Sequence, residues 1–144
     1  MLRSFAKIPT GREIAKVNVK LIKDNNWFGQ NAAGRGLVLT TGSGHGSAGP
    51  TPPDHIMLAY GSCFGGSVKH ILEDNGIKVK DLTVEMEAEW ELVPHRRIKE
   101  FRSNCIIEAD GLTQEMADAA LKQASDEVCM VANTLKRSPK ITVK

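Results

Sequence analysis

Apolar and polar residues alternate most regularly between Asp81 and Leu92, where Leu82, Val84, Met86, Ala88, Trp90 and Leu92 interleave with Thr83, Glu85, Glu87, Glu89 and Glu91. A period of two sustained that long predicts a strand with its apolar side on a core and its glutamates in water. Arg96 to Ala109 follows as its antiparallel partner. It places Phe101, Cys105 and Ile107 on one face and offers Arg97, Lys99 and Arg102 to offset the glutamate row. Near the start, Val17, Val19 and Leu21 alternate with Asn18 and Lys20, which predicts a strand over 16–22 with one face buried. Gly36 to Thr40 is a second strand, and Asp24-Asn25-Asn26 and Gly34-Arg35-Gly36 between the two read as turns.

The period then changes. A glycine-rich loop, Thr41-Gly42-Ser43-Gly44-His45-Gly46-Ser47-Ala48-Gly49-Pro50, leads into Thr51-Pro52-Pro53-Asp54. Thr51 can cap the amide three residues on, proline at the first helical position needs no donor, and Asp54 completes a capping box, so a helix opens here. It runs to about Asn75, where Asn75-Gly76 stops it. Ile56, Met57, Leu58, Ala59 and Tyr60 leave its first half no polar face, which predicts burial on all sides. Gly61, Gly65 and Gly66 each weaken a helix by about 1 kcal/mol relative to alanine, and close approach of another helix backbone would compensate. A second helix is capped by Thr113 after the Asp110-Gly111 turn. Ala117, Ala120, Leu121, Ala124, Val128 and Leu135 recur along it at helical spacing, and Lys140 to Lys144 closes the chain as a short strand. No repeat or linker interrupts this order, which reads as one α+β domain over 1–144.

Composition narrows the function classes. With 144 residues, 41% of them hydrophobic, the chain can bury a core of its own. Its net charge of +2 comes from 19 basic and 17 acidic residues that are well mixed, so no basic stripe points to nucleic acid. No apolar run approaches the ~20 residues that span a bilayer, and the first residues lack a signal-peptide core, so no membrane partner and a cytoplasmic location are expected. Three cysteines without a Cys-x-x-Cys, and no histidine at ligand spacing, argue against a disulfide scaffold and against structural zinc; no cofactor is expected.

Cys63, in Leu58-Ala59-Tyr60-Gly61-Ser62-Cys63, and Cys129, in Glu127-Val128-Cys129, occupy similar apolar helical surroundings. Each is either a small buried hydrophobe or a redox thiol, whose chemistry requires access and pKa control. Cys105 lies on a strand face beside Ile107 and reads as structural. The glycine-rich loop ends at a helix N-terminus, which favours anions, yet it lacks the lysine and spacing of a P-loop. A dimeric protein that binds a small molecule or anion without turnover is therefore the alternative to an enzyme.

Gly49-Pro50-Thr51-Pro52 with Asp54, then Cys63, then Glu127-Val128-Cys129, together with the order of strands and helices from about Ile14 onward, resembles the OsmC/Ohr family of thiol-dependent peroxidases, in its OsmC-like branch. Residues 1–13 lie outside the resemblance. It implies an α+β intertwined homodimer in which two long central helices pack against antiparallel sheets. It also implies reduction of organic hydroperoxides with an external dithiol as reductant and no metal. Cys63 would be the peroxidatic thiol, Cys129 the resolving thiol, and Arg35 with Asp54 the cation and carboxylate that complete the site. Ile56, Tyr60 and Phe64, with Trp27 or Phe28, would line an apolar substrate pocket. Arg35 reads equally as a solvated turn residue and Asp54 as a helix cap. His55 follows the carboxylate as a helix-side residue, and His70 is too far along the helix for a dyad with Cys63. Met130 stands where a proline commonly follows the second cysteine, so nothing in the sequence stops the second helix at Cys129.

The magnitudes indicate what a cation is for. A free thiol of pKa ~8.5 is about 3% thiolate at pH 7; lowering it to ~6 raises that fraction about thirtyfold, while weaker nucleophilicity takes back roughly tenfold. Most acceleration must therefore come from aligning the O–O bond and stabilising the departing alkoxide.

Overall fold

The computed structural model describes residues 15–42 and 46–143. These divide into two compact units that part inside the first helix, between Ile56 and Met57. Residues 1–13, set apart in the sequence, lie outside the described residues.

The first unit is a three-stranded antiparallel meander of β1 (Val17–Lys23), β2 (Asn26–Asn31) and β3 (Gly36–Thr40). The strand β2 replaces what the sequence reads as turn and loop between two strands. Its Asn26, Gly29 and Gln30 are poor strand formers, but pairing on both edges supplies the hydrogen bonds that propensity does not. Asp24 turns the first hairpin with a φ of 53°, and Asn31 closes the second by accepting from the amides of Ala33 and Arg35. Gly36 is fixed by contact, because a Cβ there would lie 2.4 Å from the Phe28 ring. The apolar row of β1 is not buried as expected: Val17, Val19 and Leu21 are exposed.

The long helix α1 (Pro52–Asp74) starts at the expected cap. Asp54 Oδ2 accepts from the Thr51 amide and hydroxyl at 2.9 and 2.6 Å, and the Asp54 amide donates back to Thr51 Oγ1 at 3.4 Å. In the second unit α1 lies on the two-stranded sheet of β4 (Val79–Glu91) and β5 (Arg97–Ala109). The alternation in both strands is as read: Val84 pairs with Cys105 and Leu82 with Ile107 on the core side. A bulge leaves Lys99 as an extra residue, so that Phe101 faces Ala88 and Ile98 faces Trp90 although the two are an odd number of residues apart. Outside, Arg97 pairs with Glu91, Lys99 with Glu89, and Arg102 with Glu87, Glu89 and Glu100. Trp90 and Leu92 are exposed rather than inward, with Arg96 stacked over the Trp90 ring.

Then come α2 (Gln114–Gln123), one π-helical turn (Ala124–Val128) and α3 (Met130–Lys136). Thr113 caps α2 through the Met116 amide. The continuous second helix expected from the sequence is thus broken at Cys129, and the segment from Lys140 to Val143 forms no strand. The core is α1 against this broken helix: Phe64, Val68, Ile71 and Leu72 pack with Ala120, Ala124, Cys129 and Ala132.

The α1 glycines have a different partner from the helix backbone expected. A Cβ on Gly65 would sit 2.9 Å from Val84 and one on Gly61 3.1 Å from Met86, so β4 side chains fill these notches, whereas Gly66 faces open space. The first half of α1 is likewise not enclosed by its own chain, with Ile56 43% and Leu58 59% exposed. Gly65→Ala should destabilise the fold by about 1 kcal/mol, overpacking against Val84 outweighing the gain in helix propensity. A urea midpoint unchanged or raised in that variant would contradict the close packing.

Candidate functional site

Cys63 and Cys129 reach each other from elements far apart in sequence. Cys63 lies midway along α1, half-buried and packed against the core, and Ser67 caps its carbonyl at 2.8 Å. Cys129 stands in the helix break with extended backbone, φ −67° and ψ 108°, and has no exposed surface. Its sulfur accepts from the Ala132 amide at 3.4 Å, and the Cys63 side chain lies close enough to influence it. Burial pushes the Cys129 thiol above the ordinary range, the Ala132 N–H opposes this, and the Cys63 side chain adds to the rise. Both thiols are free. Cys105 is half-buried on β5, and burial pushes it up as well.

The break that presents Cys129 is built without proline. The Cys129 amide donates to Ala124 O, five residues back, which marks the widened turn; a new helix then starts when the Asn133 amide bonds Cys129 O. A helix interruption leaves carbonyls without backbone donors. Two are taken by side chains: Lys136 Nζ donates to Ser125 O at 2.8 Å, and Asn133 Nδ2 to Glu127 O at 3.0 Å.

Tyr60, one turn before Cys63, stands edge-on to Phe64 and Phe101 with ring centroids 6.0 and 5.7 Å away. Its phenol is held neutral by burial and by the nearby Cys129 and Cys105 thiols. It lines an open groove of about 450 Å³, together with Ile98, Phe101 and Leu135 and the basic Arg97 and Lys136. Of Ile56, Tyr60 and Phe64, Tyr60 lines this groove. Phe64 is core, and Ile56 belongs to the other unit. Trp27 donates its indole N–H to Thr41 Oγ1, and Phe28 covers Gly36.

In the first unit, Arg35 and Asp54 make no ion pair with each other among the described residues. The guanidinium of Arg35 is exposed, and Asp54 Oδ1 is left open because Oδ2 takes both Thr51 donors. Those hydrogen bonds hold the Asp54 carboxyl below its usual range, so its stabilising effect on the helix start is complete above the unfolded value and fades as pH falls through the lowered one. His55 Nδ1 contacts Thr51 O at 2.9 Å, as a helix-side residue. Three amides of the glycine-rich loop are occupied: Thr41 donates to Asn25 O, Ala48 to Asn26 Oδ1 and Thr40 Oγ1, and Gly49 to Thr40 Oγ1. Among the described residues, no three His, Cys, Asp or Glu side chains converge to hold a metal ion, and no helix is long and apolar enough to cross a membrane.

The sequence does not reveal Asn133, Lys136, Ile98 or the π turn. Lys136 and Asn133 gain meaning only once the helix breaks. Burial sets Cys129 apart from the two half-buried thiols, so iodoacetamide in slight excess should modify Cys63 and Cys105 and leave Cys129 for last. Peptide mass spectrometry giving Cys129 first would contradict the burial.

Comparison with known proteins places this arrangement. Protein YhfA of Escherichia coli (strain K12) is 23% identical over 127 residues, which is 88% of this chain and 93% of that protein. A crystal structure of an OsmC-like protein from Mycoplasma pneumoniae matches with a TM-score of 0.77 at 13% identity, over 88% of this chain and 89% of that one. The organic hydroperoxide resistance protein OhrB of Bacillus subtilis matches with a TM-score of 0.60 at 16% identity, over 88% and 93%. At these identities the structural matches establish a shared fold. The family model for OsmC-like protein matches residues 44–144, most of the sequence, and the chain belongs to that family.

Proposed function

We propose that the protein is a cysteine-based peroxidase that reduces organic hydroperoxides. The observation that carries this reading is the proximity of Cys63, half-buried and packed against the core, to the enclosed Cys129 of that core. The Cys63 thiolate attacks the terminal peroxide oxygen, the O–O bond breaks, and the alkoxide leaves and takes up a proton as the alcohol. The Cys63 sulfenic acid then condenses with the Cys129 thiol; water leaves, a disulfide forms, and an external dithiol returns both to thiols. Arg35 and Asp54 are the cation and carboxylate that the family resemblance assigns to this chemistry, and Tyr60 contributes an aromatic wall for the alkyl group. That relatives of similar fold carry the name organic hydroperoxide resistance protein is consistent with this chemistry.

Cys63→Ser should abolish peroxide consumption and Cys105→Ser should leave it essentially intact. Cys129→Ser should oxidise once and then pass to sulfinic acid under excess peroxide, for want of an internal trap. Stopped-flow consumption with intact mass separates these outcomes: equal losses at Cys63 and Cys105 would indicate a structural effect, and sustained turnover without over-oxidation in Cys129→Ser would indicate one-cysteine chemistry.

The working form is a homodimer in which each chain, acting as one domain, contributes one long helix to a central pair. Support comes from apolar residues that the chain leaves uncovered, Ile56 and Leu58 on α1 and Val17, Val19 and Leu21 on β1, and from the open side of Gly66. An obligate interface buries above about 2,000 Å². Sedimentation at micromolar concentration should therefore give a dimer, and a stable folded monomer would exclude this form.

A further inference from the structure

We propose that Lys136 and Asn133 are positioning residues for Cys129, holding open the helix break that a proline would otherwise enforce. This rests on Cys129 acting as the partner of Cys63. The two side chains come from the first two turns of α3 and reach back across the break to the preceding turn. Lys136 Nζ meets Ser125 O at 2.8 Å, Ser125 Oγ at 3.0 Å and Asp126 Oδ1 at 3.5 Å, while Asn133 Nδ2 meets Glu127 O at 3.0 Å. Asp126 is also held by Lys122, so the clamp has a fixed far end.

The alternative conformation is plain. With Met130 a good helix former and no glycine or proline between Gln123 and Lys136, regular i to i−4 bonding through this segment is locally favourable. In a continuous helix, however, the Cys129 amide would leave Ala124 O for Ser125 O, the carbonyl that Lys136 now occupies. Cys129 would also give up its extended backbone and the cap from its sulfur to Ala132. The side-chain bonds to Ser125 O and Glu127 O therefore compete directly with the helical register. In the break they supply donors to carbonyls that lack a backbone partner.

The test uses the thiol–disulfide equilibrium in a glutathione redox buffer, read by alkylation and intact mass in a Cys105→Ser background so that two thiols remain. Lys136→Met with Asn133→Leu should make the Cys63–Cys129 disulfide about tenfold less favourable, ~30 mV for this two-electron couple. Lys136→Arg should stay within about twofold of the parent. The decisive variant adds Met130→Pro to the double substitution. Proline is accepted at the first position of a helix and confines the preceding residue to the extended region that Cys129 occupies, so it should restore the parental equilibrium. An unchanged equilibrium in the double variant overturns the proposal. So does failure of proline to restore it, including the case in which the double variant is simply less stable to urea. No peroxide enters the measurement, so loss of the peroxidase reading through an active Cys63→Ser variant would be recognised separately.

Discussion

The arrangement depends on how closely α1 can approach the broken helix α2–α3. Across that contact α1 presents Phe64, Val68, Ile71 and Leu72, and the other side presents Ala120, Ala124, Cys129 and Ala132. Large side chains on one helix against small ones on the other bring the second backbone near. A sulfur on a short side chain can then meet one from across the interface. An alanine exchanged there for a larger residue would separate the thiols even where it filled the core, because interiors are close-packed and an added methylene must displace something. Beside these residues on α1 the device recurs with the sizes reversed: Gly61 and Gly65 admit Met86, Val84 and Leu82 of β4. The helix that carries Cys63 is held by both contacts.

Much of this was legible because patterning and capping are local. The β4–β5 pair, with its apolar face and paired charges, follows from a period of two, and the start of α1 from Thr51 and Asp54. Family membership followed from Gly49-Pro50-Thr51-Pro52, Asp54, Cys63 and Cys129 as a set. What escaped was set by competition among distant groups. Strand β2 has weak propensity and exists through pairing on both sides. The π turn has no residue signature, since the groups that stabilise it, Lys136 and Asn133, are ordinary helix-surface residues until the break gives them carbonyls. Burial of the first half of α1 was inferred from hydrophobicity, which shows that apolar surface must be covered without showing that the same chain covers it. Lys140 to Val143 has the alternation of a strand but no edge to pair with among the described residues.

The thiols also explain each other's order of action under the peroxidase reading. Two thiols in contact do not both ionise readily, because the first negative charge opposes the second. Here burial and the neighbouring Cys63 both raise Cys129, which favours the neutral thiol at the enclosed position. After Cys63 becomes a sulfenic acid, it is neutral and that opposition disappears. Burial still acts against Cys129, but the Ala132 amide, already directed at its sulfur, favours the thiolate. Cys129 therefore becomes easier to ionise when the partner it must attack has formed, and remains harder to ionise while a second thiolate would compete with Cys63 for peroxide. Such ordering needs no moving part, only two neighbouring cysteines with unequal access to water.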